Sequence, residues 1–121
     1  MKNESFPHRL ANAAAGLRHG LQHERSLRLQ CLALLVVVVL LVILRPGAAW
    51  TALVLMASGA VIAAELFNTA LEALADHVQP GQHPGIRIVK DCAAAAVLMT
   101  SLAAVAVGAA LAVHILATRS W

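Results

Sequence analysis

Four polar side chains recur along one stretch of a largely apolar segment. They are Glu65, Asn68, Glu72 and Asp76, within Ala64-Glu65-Leu66-Phe67-Asn68-Thr69-Ala70-Leu71-Glu72-Ala73-Leu74-Ala75-Asp76. On a helix the three carboxylates fall within about 40° of one another, and Asn68 lies about 60° to one side. Ionisable groups at the end of an apolar helix are costly unless water, a partner or an ion compensates them. Carboxylates with an amide suit a hard cation, and Mg²⁺ is commonly held by one or two carboxylates with phosphate oxygens and water completing its shell. Lys90, further along, suits a phosphate charge. The same face also suits carboxylates that pair helices within an oligomer, and these residues alone leave both readings open. The chain carries neither a Gly-x-x-x-x-Gly-Lys-Ser/Thr loop nor a protein-kinase signature.

The surrounding chain reads as the means of placing this face. From Pro46 to Ala64 there is no charge, so one helix is predicted over 48–76, with Trp50 as an interfacial anchor. Gly59, Ala60, Ala63 and Ala64 give it a narrow face for close helix contact in lipid. Cys31 to Leu44 is a continuous apolar run. Extended back to Leu27, with Arg28 snorkelling, it crosses about 27 Å. Arg45-Pro46-Gly47 ends it in a short turn, so the next helix runs antiparallel. Pro80-Gly81 and Pro84-Gly85 mark a loop over 77–89, and Lys90-Asp91 opens a third span over 91–118. There the Ala93–Ala96 cluster and Ala104, Gly108 and Ala112 repeat the narrow face, and His114 reads as a neutral interfacial or buried histidine.

Residues 5–25 form an amphipathic pattern. Phe6, Leu10, Ala13, Ala14, Leu17 and Leu21 share one face, and His8, Asn12, His19, Gln22 and His23 fall largely opposite. A helix lying on the membrane surface is expected, rather than a secretory signal. Glu24 is the anomaly, because on a continued helix it falls on the apolar face, about 40° from Leu10. A surface pair with Arg28 is the plain alternative.

At 121 residues, 60% hydrophobic and 12% charged, the chain is expected to be one integral-membrane domain over 1–121. A net charge of +3 and 3% aromatic residues offer nucleic acid neither a basic patch nor a stacking platform. Cys31 and Cys92 read as buried free thiols, with no metal motif. Lys2, Arg9, Arg18, Arg25, Arg28, Arg87 and Lys90 lie on one side of the spans, and Arg45 and Arg119 on the other. That bias puts the N-terminus and the 77–90 loop in the cytoplasm. Glu65 then sits about 10 Å deeper than Glu72.

Glu65-Leu66-Phe67-Asn68-Thr69-Ala70-Leu71-Glu72-Ala73-Leu74-Ala75-Asp76 closely resembles the E-h-h-N-[ST]-A-h-E-x-h-h-D signature of the bacterial integral-membrane diacylglycerol kinases, a family that includes undecaprenol kinases. Lys90-Asp91-x-x-x-Ala95-Ala96-Val97-Leu98 is similar to its K-D-x-x-x-A-A-V-L segment, and Gly16-Leu17-Arg18 and Glu24 stand at its surface-helix spacing. The resemblance covers nearly the whole chain. It implies an all-α membrane protein with an amphipathic surface helix and three transmembrane helices, assembled as a homotrimer in the bacterial inner membrane. It also implies ATP and Mg²⁺.

By the same resemblance Glu65 is the catalytic carboxylate, and Glu24 and Glu72 position Mg-ATP. Asn12, Gln82, His83, Lys90 and Asp91 contact the nucleotide. Asn68 orients the reacting groups, and Asp76 and Ala94 support the site or the substrate. Departures are Gln30, where one branch of the family has an acidic residue, Ser26, where another branch has asparagine, Ala49, where an acidic residue is common, and Val89 for the usual alanine. Arg9 also lies about one turn later than the family's early arginine. The expected activity is ATP-dependent phosphorylation of diacylglycerol to phosphatidic acid at the cytoplasmic face. The alternatives are the same chemistry on undecaprenol, a small ion or proton carrier, and a catalytically inactive helper subunit.

Overall fold

The computed structural model describes residues 2–119, and among them every regular element is a helix. These are α1 (Phe6–His23), α2 (Arg25–Leu44), α3 (Ala48–Val78) and α4 (Pro84–Thr118). The last three are long and apolar enough to cross a membrane, and α3, which carries the carboxylates, is the least apolar of them. The protein is an all-α membrane protein.

The three long helices are unequal in length, and only one of them matches the thickness of a hydrocarbon layer. The 20 residues of α2 span about 30 Å, which matches a hydrocarbon core. The 31 residues of α3 and 35 of α4 reach about 46 and 52 Å, too long for that layer. At the end where α2 stops, α4 stops with it, because Arg119 Nη2 donates to the Leu44 carbonyl at 2.8 Å. The excess therefore projects from the opposite end, where the last turns of α3 and the first turns of α4 run side by side. There the Lys90 ammonium meets the Asp76 carboxylate.

The turn between α2 and α3 is made by backbone conformations that stop a helix. Arg45 is left-handed at φ 48°, its amide donates to Leu41 O at 3.0 Å, Pro46 follows, and Gly47 has φ 101°. Thr51 then closes the first turn of α3 by donating from both N and Oγ1 to the Gly47 carbonyl. Arg119 adds a cation at the negative end of α2. Above this turn, Leu41, Val54 and Leu111 form the small core of the bundle, flanked by Val37, Trp50, Val107 and Ile115. His114 lies against Trp50, with ring centroids 5.3 Å apart.

Glu24 does not continue the first helix. It sits at φ −108°, ψ 111°, ending α1 and starting α2, so the chain turns there from the surface helix into the span. The surface pair with Arg28 is replaced by a different contact. The Arg28 guanidinium turns back to the Leu21 and Gln22 carbonyls at 3.0 and 3.2 Å, satisfying acceptors that the end of α1 leaves open. The two thiols differ from expectation as well. Both are free, but Cys31 is half-buried and Cys92 exposed. In a chain whose spans turn aliphatic side chains such as Val42, Met56 and Leu102 outward, apolar residues need only face lipid and not the interior of one chain.

The bend at Glu24 depends on Gly20. A Cβ there would lie 2.6 Å from Leu27 Cδ2 and 3.3 Å from Leu66 Cδ2, and Leu27 is 0% exposed, so it has nowhere to move. Overfilling of this kind costs about 1–3 kcal/mol, while Gly→Ala within a helix returns at most about 1 kcal/mol. Gly20→Ala is therefore expected to loosen α1 from the bundle. Amide exchange should speed up across residues 6–23 and stay unchanged in α3 and α4. Equal protection in the two proteins would show that the contact does not hold α1.

Candidate active site

The polar face of α3 is displayed in steps of depth. Glu65 is deepest and 5% exposed, the one charged side chain buried among the described residues. Its Oε2 accepts from Gln30 Nε2 of α2 at 3.1 Å. One turn on, Asn68 Nδ2 reaches Glu72 Oε1 at a long 3.4 Å. Asn68 Oδ1 is buried with no hydrogen-bond partner. A further turn on, Asp76 accepts from Lys90 Nζ. A buried carboxylate thus leads by helical steps to an ion pair at the aqueous end.

That end opens into a cavity of about 680 Å³ between the C-terminal turn of α3, the 79–83 link and the start of α4. Asp76, Gln82, His83, Arg87, Lys90 and Asp91 all line it. His83 is the N-cap of α4, and its Nδ1 accepts from Gly85 N at 3.0 Å. A neutral imidazole with Nδ1 as acceptor carries its proton on Nε2. Pro84 occupies the first turn of α4, where a missing N–H is harmless. The cavity therefore receives a helix N-terminus, whose dipole favours anions, together with Lys90 and Arg87. Arg87 and Asp91 are a loose, exposed pair at 3.9 Å, so water screens them strongly.

The family model for prokaryotic diacylglycerol kinase matches residues 11–112 of this chain, from within α1 to near the end of α4. The chain belongs to the prokaryotic diacylglycerol kinase family. A diacylglycerol kinase from Synechocystis sp. is 36% identical over 100 residues, which cover 82% of this chain and 57% of that protein. The chain thus spans a little over half the length of this relative.

Membership of the diacylglycerol kinase family makes it useful to see which expected site residues come together. Gln82, His83, Lys90, Asp91 and Asp76 share one cavity. Asn68 and Glu72 meet each other, one to two turns from Glu65. Glu24 and Asn12 do not line that cavity. Glu24 stands at the bend between α1 and α2. Asn12 donates to Glu4 Oε2 at 2.9 Å on α1, beside the His8 contact to the same carboxylate at 3.3 Å. Ala94 is exposed on α4, next to the buried Ala93.

Two contributors were not legible as such. Gln30 is visible in the sequence only as a departure from an acidic residue, and its bond to Glu65 spans 35 positions. The start of α4 was expected near Lys90-Asp91, but the helix begins at Pro84. The available signal was His83-Pro84, a capping side chain before a proline at the first helical position.

The donor set at Glu72 fits a hard cation. Glu72 Oε1 accepts only a long bond, from Asn68 Nδ2, so this carboxylate keeps acceptor capacity for a cation, while the unpaired Asn68 Oδ1 is on the other branch of the amide. Among the described residues, no three His, Cys, Asp or Glu side chains form a group able to hold a metal without help.

Proposed function

We propose that the protein phosphorylates diacylglycerol to phosphatidic acid with ATP, at the cytoplasmic face of the bacterial inner membrane. The observation that carries this reading is Glu65: a buried carboxylate on α3, about three helical turns below a cavity that offers phosphate the start of α4 with Lys90 and Arg87. ATP occupies the cavity, its phosphates toward Lys90 and the start of α4, with Gln82, His83 and Asp91 around it. The lipid enters from the side of the spans and presents its hydroxyl to Glu65.

Glu65 takes the hydroxyl proton as the lipid oxygen attacks the γ-phosphorus. The bond from that phosphorus to the β–γ bridging oxygen breaks, and ADP leaves with the electron pair. The reaction asks mainly for alignment and charge stabilisation. Asn68, one turn above Glu65, holds the acceptor and phosphoryl ends in register. Glu72 and Glu24 would hold Mg²⁺, which when bound neutralises charge on the transferring phosphoryl group. The same reading carries a homotrimer in which Glu24 serves α3 of a neighbouring subunit, consistent with its position at a bend outside the cavity.

Undecaprenol is the second acceptor to test, because nothing in the mechanism depends on the rest of the lipid. The deciding experiment offers labelled ATP to the purified chain in mixed micelles with each lipid separately, with and without Mg²⁺. Mg²⁺-dependent labelling of diacylglycerol is expected. Labelling of undecaprenol alone would change the acceptor. Labelling of neither by folded protein would return the carboxylates to a structural or ion-carrying role.

Lys90 yields a further expectation. Lys90→Met removes a cation from the phosphate side of the cavity, and the KM for ATP should rise on the order of 10-fold while the KM for lipid holds. Asp76→Asn should do less, since Asp76 orients Lys90 and is itself exposed. An unchanged ATP KM in Lys90→Met would place the phosphates elsewhere.

A further inference from the structure

We infer that Gln30 is a positioning residue for Glu65: its amide fixes the carboxylate that removes the lipid proton. The inference rests on the lipid-kinase reading and adds a residue to its machinery. Gln30 Nε2 donates to Glu65 Oε2 at 3.1 Å across the α2–α3 contact. From Gln30 to Leu44 no other residue of α2 carries a side-chain hydrogen-bond donor stronger than a thiol. The orientation of the amide follows from charge, because only its NH₂ edge can donate to an ionised carboxylate.

A purely architectural polar pair is expected to satisfy both ends of the amide. Here Gln30 Oε1 is buried and has no partner. That acceptor belongs to a side chain that reaches Glu65 and lies on the wall of a mostly apolar groove of about 300 Å³ between α2, α3 and α4. What the arrangement achieves is on the Glu65 side. With Oε2 engaged by an N–H, rotation of the carboxylate is restrained, and the proton taken from the hydroxyl goes to Oε1. A neutral donor also leaves Glu65 the single negative charge of the pair. An acid at position 30 would put two carboxylates within hydrogen-bond distance, where they would share a proton.

The test is steady-state kinetics of the full chain in mixed micelles, with Gln30→Met as a variant of similar length and volume that lacks the donor. Loss of a hydrogen bond to a charged reacting group should lower kcat about 10- to 100-fold. The KM for ATP should stay within about 2-fold, because the cavity does not include Gln30. In a Glu65→Asp background, where the shortened carboxylate has already left the amide, Gln30→Met should cost less than about 3-fold more. Gln30→His, which restores a neutral N–H donor, should recover most of kcat and serves also if Gln30→Met does not fold.

Wild-type kcat in folded Gln30→Met, a full multiplicative loss on Glu65→Asp, or a folded Gln30→His as impaired as Gln30→Met would each overturn the inference. Those results leave the kinase reading standing. Wild-type protein that labels no lipid overturns the kinase reading, and this one with it.

Discussion

Glu65→Gln is expected to abolish lipid phosphorylation while leaving Mg-ATP binding intact. The substitution keeps the shape of a side chain that is 5% exposed and removes its charge and its capacity to accept a proton. Removing a general base typically costs 10²–10⁴-fold in rate, and here no other carboxylate stands at the same depth on α3 to replace it. Glu72 is about 10 Å further along the helix, one turn short of Asp76 on the cavity wall. Binding should survive because the cavity is built from Asp76, the 79–83 link and the start of α4, not from Glu65. The fold should also survive. An amide at position 65 can still accept the Gln30 N–H, and the unpartnered Gln30 Oε1 is an acceptor beside its new NH₂. Equilibrium binding of a fluorescent nucleotide, set beside turnover of the same preparation, separates the two effects. Loss of nucleotide binding with loss of turnover would contradict the role of a base and make Glu65 part of the nucleotide site or of the fold.

The depth difference between Glu65 and the cavity could be anticipated from sequence, because it depends only on helix periodicity and on where the apolar run ends. Three spans, an antiparallel order and the shared face of Glu65, Glu72 and Asp76 follow from patterns that repeat every few residues, and those survive folding largely unchanged. What could not be read depends on events that are local and aperiodic or on pairs far apart in the chain. Glu24 was placed on a continued helix, because the wheel has no way to announce a bend. At the bend Gly20 of α1 meets Leu27 of α2 and Leu66 of α3, both on other helices. Pro84-Gly85 was read as a turn, because each residue favours one, and the proline proved to start a helix of 35 residues. Gln30 looked like a deviation until α2 was laid against α3. For Glu24 and Gln30 the missing information was a tertiary neighbour, and for Pro84 it was the local His83 cap; two of the three change the site, through the start of α4 at the cavity and the amide on Glu65.

Glu72→Gln is expected to weaken Mg-ATP binding on the order of 10- to 100-fold, with kcat recovering substantially at high Mg²⁺. The argument runs through charge and not through shape. Glu72 Oε1 accepts only a long bond, from Asn68 Nδ2, and the full negative charge of Glu72 is what makes this carboxylate attractive to a divalent ion. An amide keeps an oxygen in place but not the charge, so occupancy should become dependent on Mg²⁺ concentration. The contrast with Glu65→Gln is diagnostic. There, added Mg²⁺ cannot restore a missing proton acceptor; here it refills a weakened site. A titration of activity against Mg²⁺ at fixed ATP therefore tells the two carboxylates apart in a single format. Wild-type activity of Glu72→Gln at low Mg²⁺ would remove Glu72 from the metal site. The unpaired Asn68 oxygen would then need another ligand, with the lipid acceptor, one turn away at Glu65, as the next candidate.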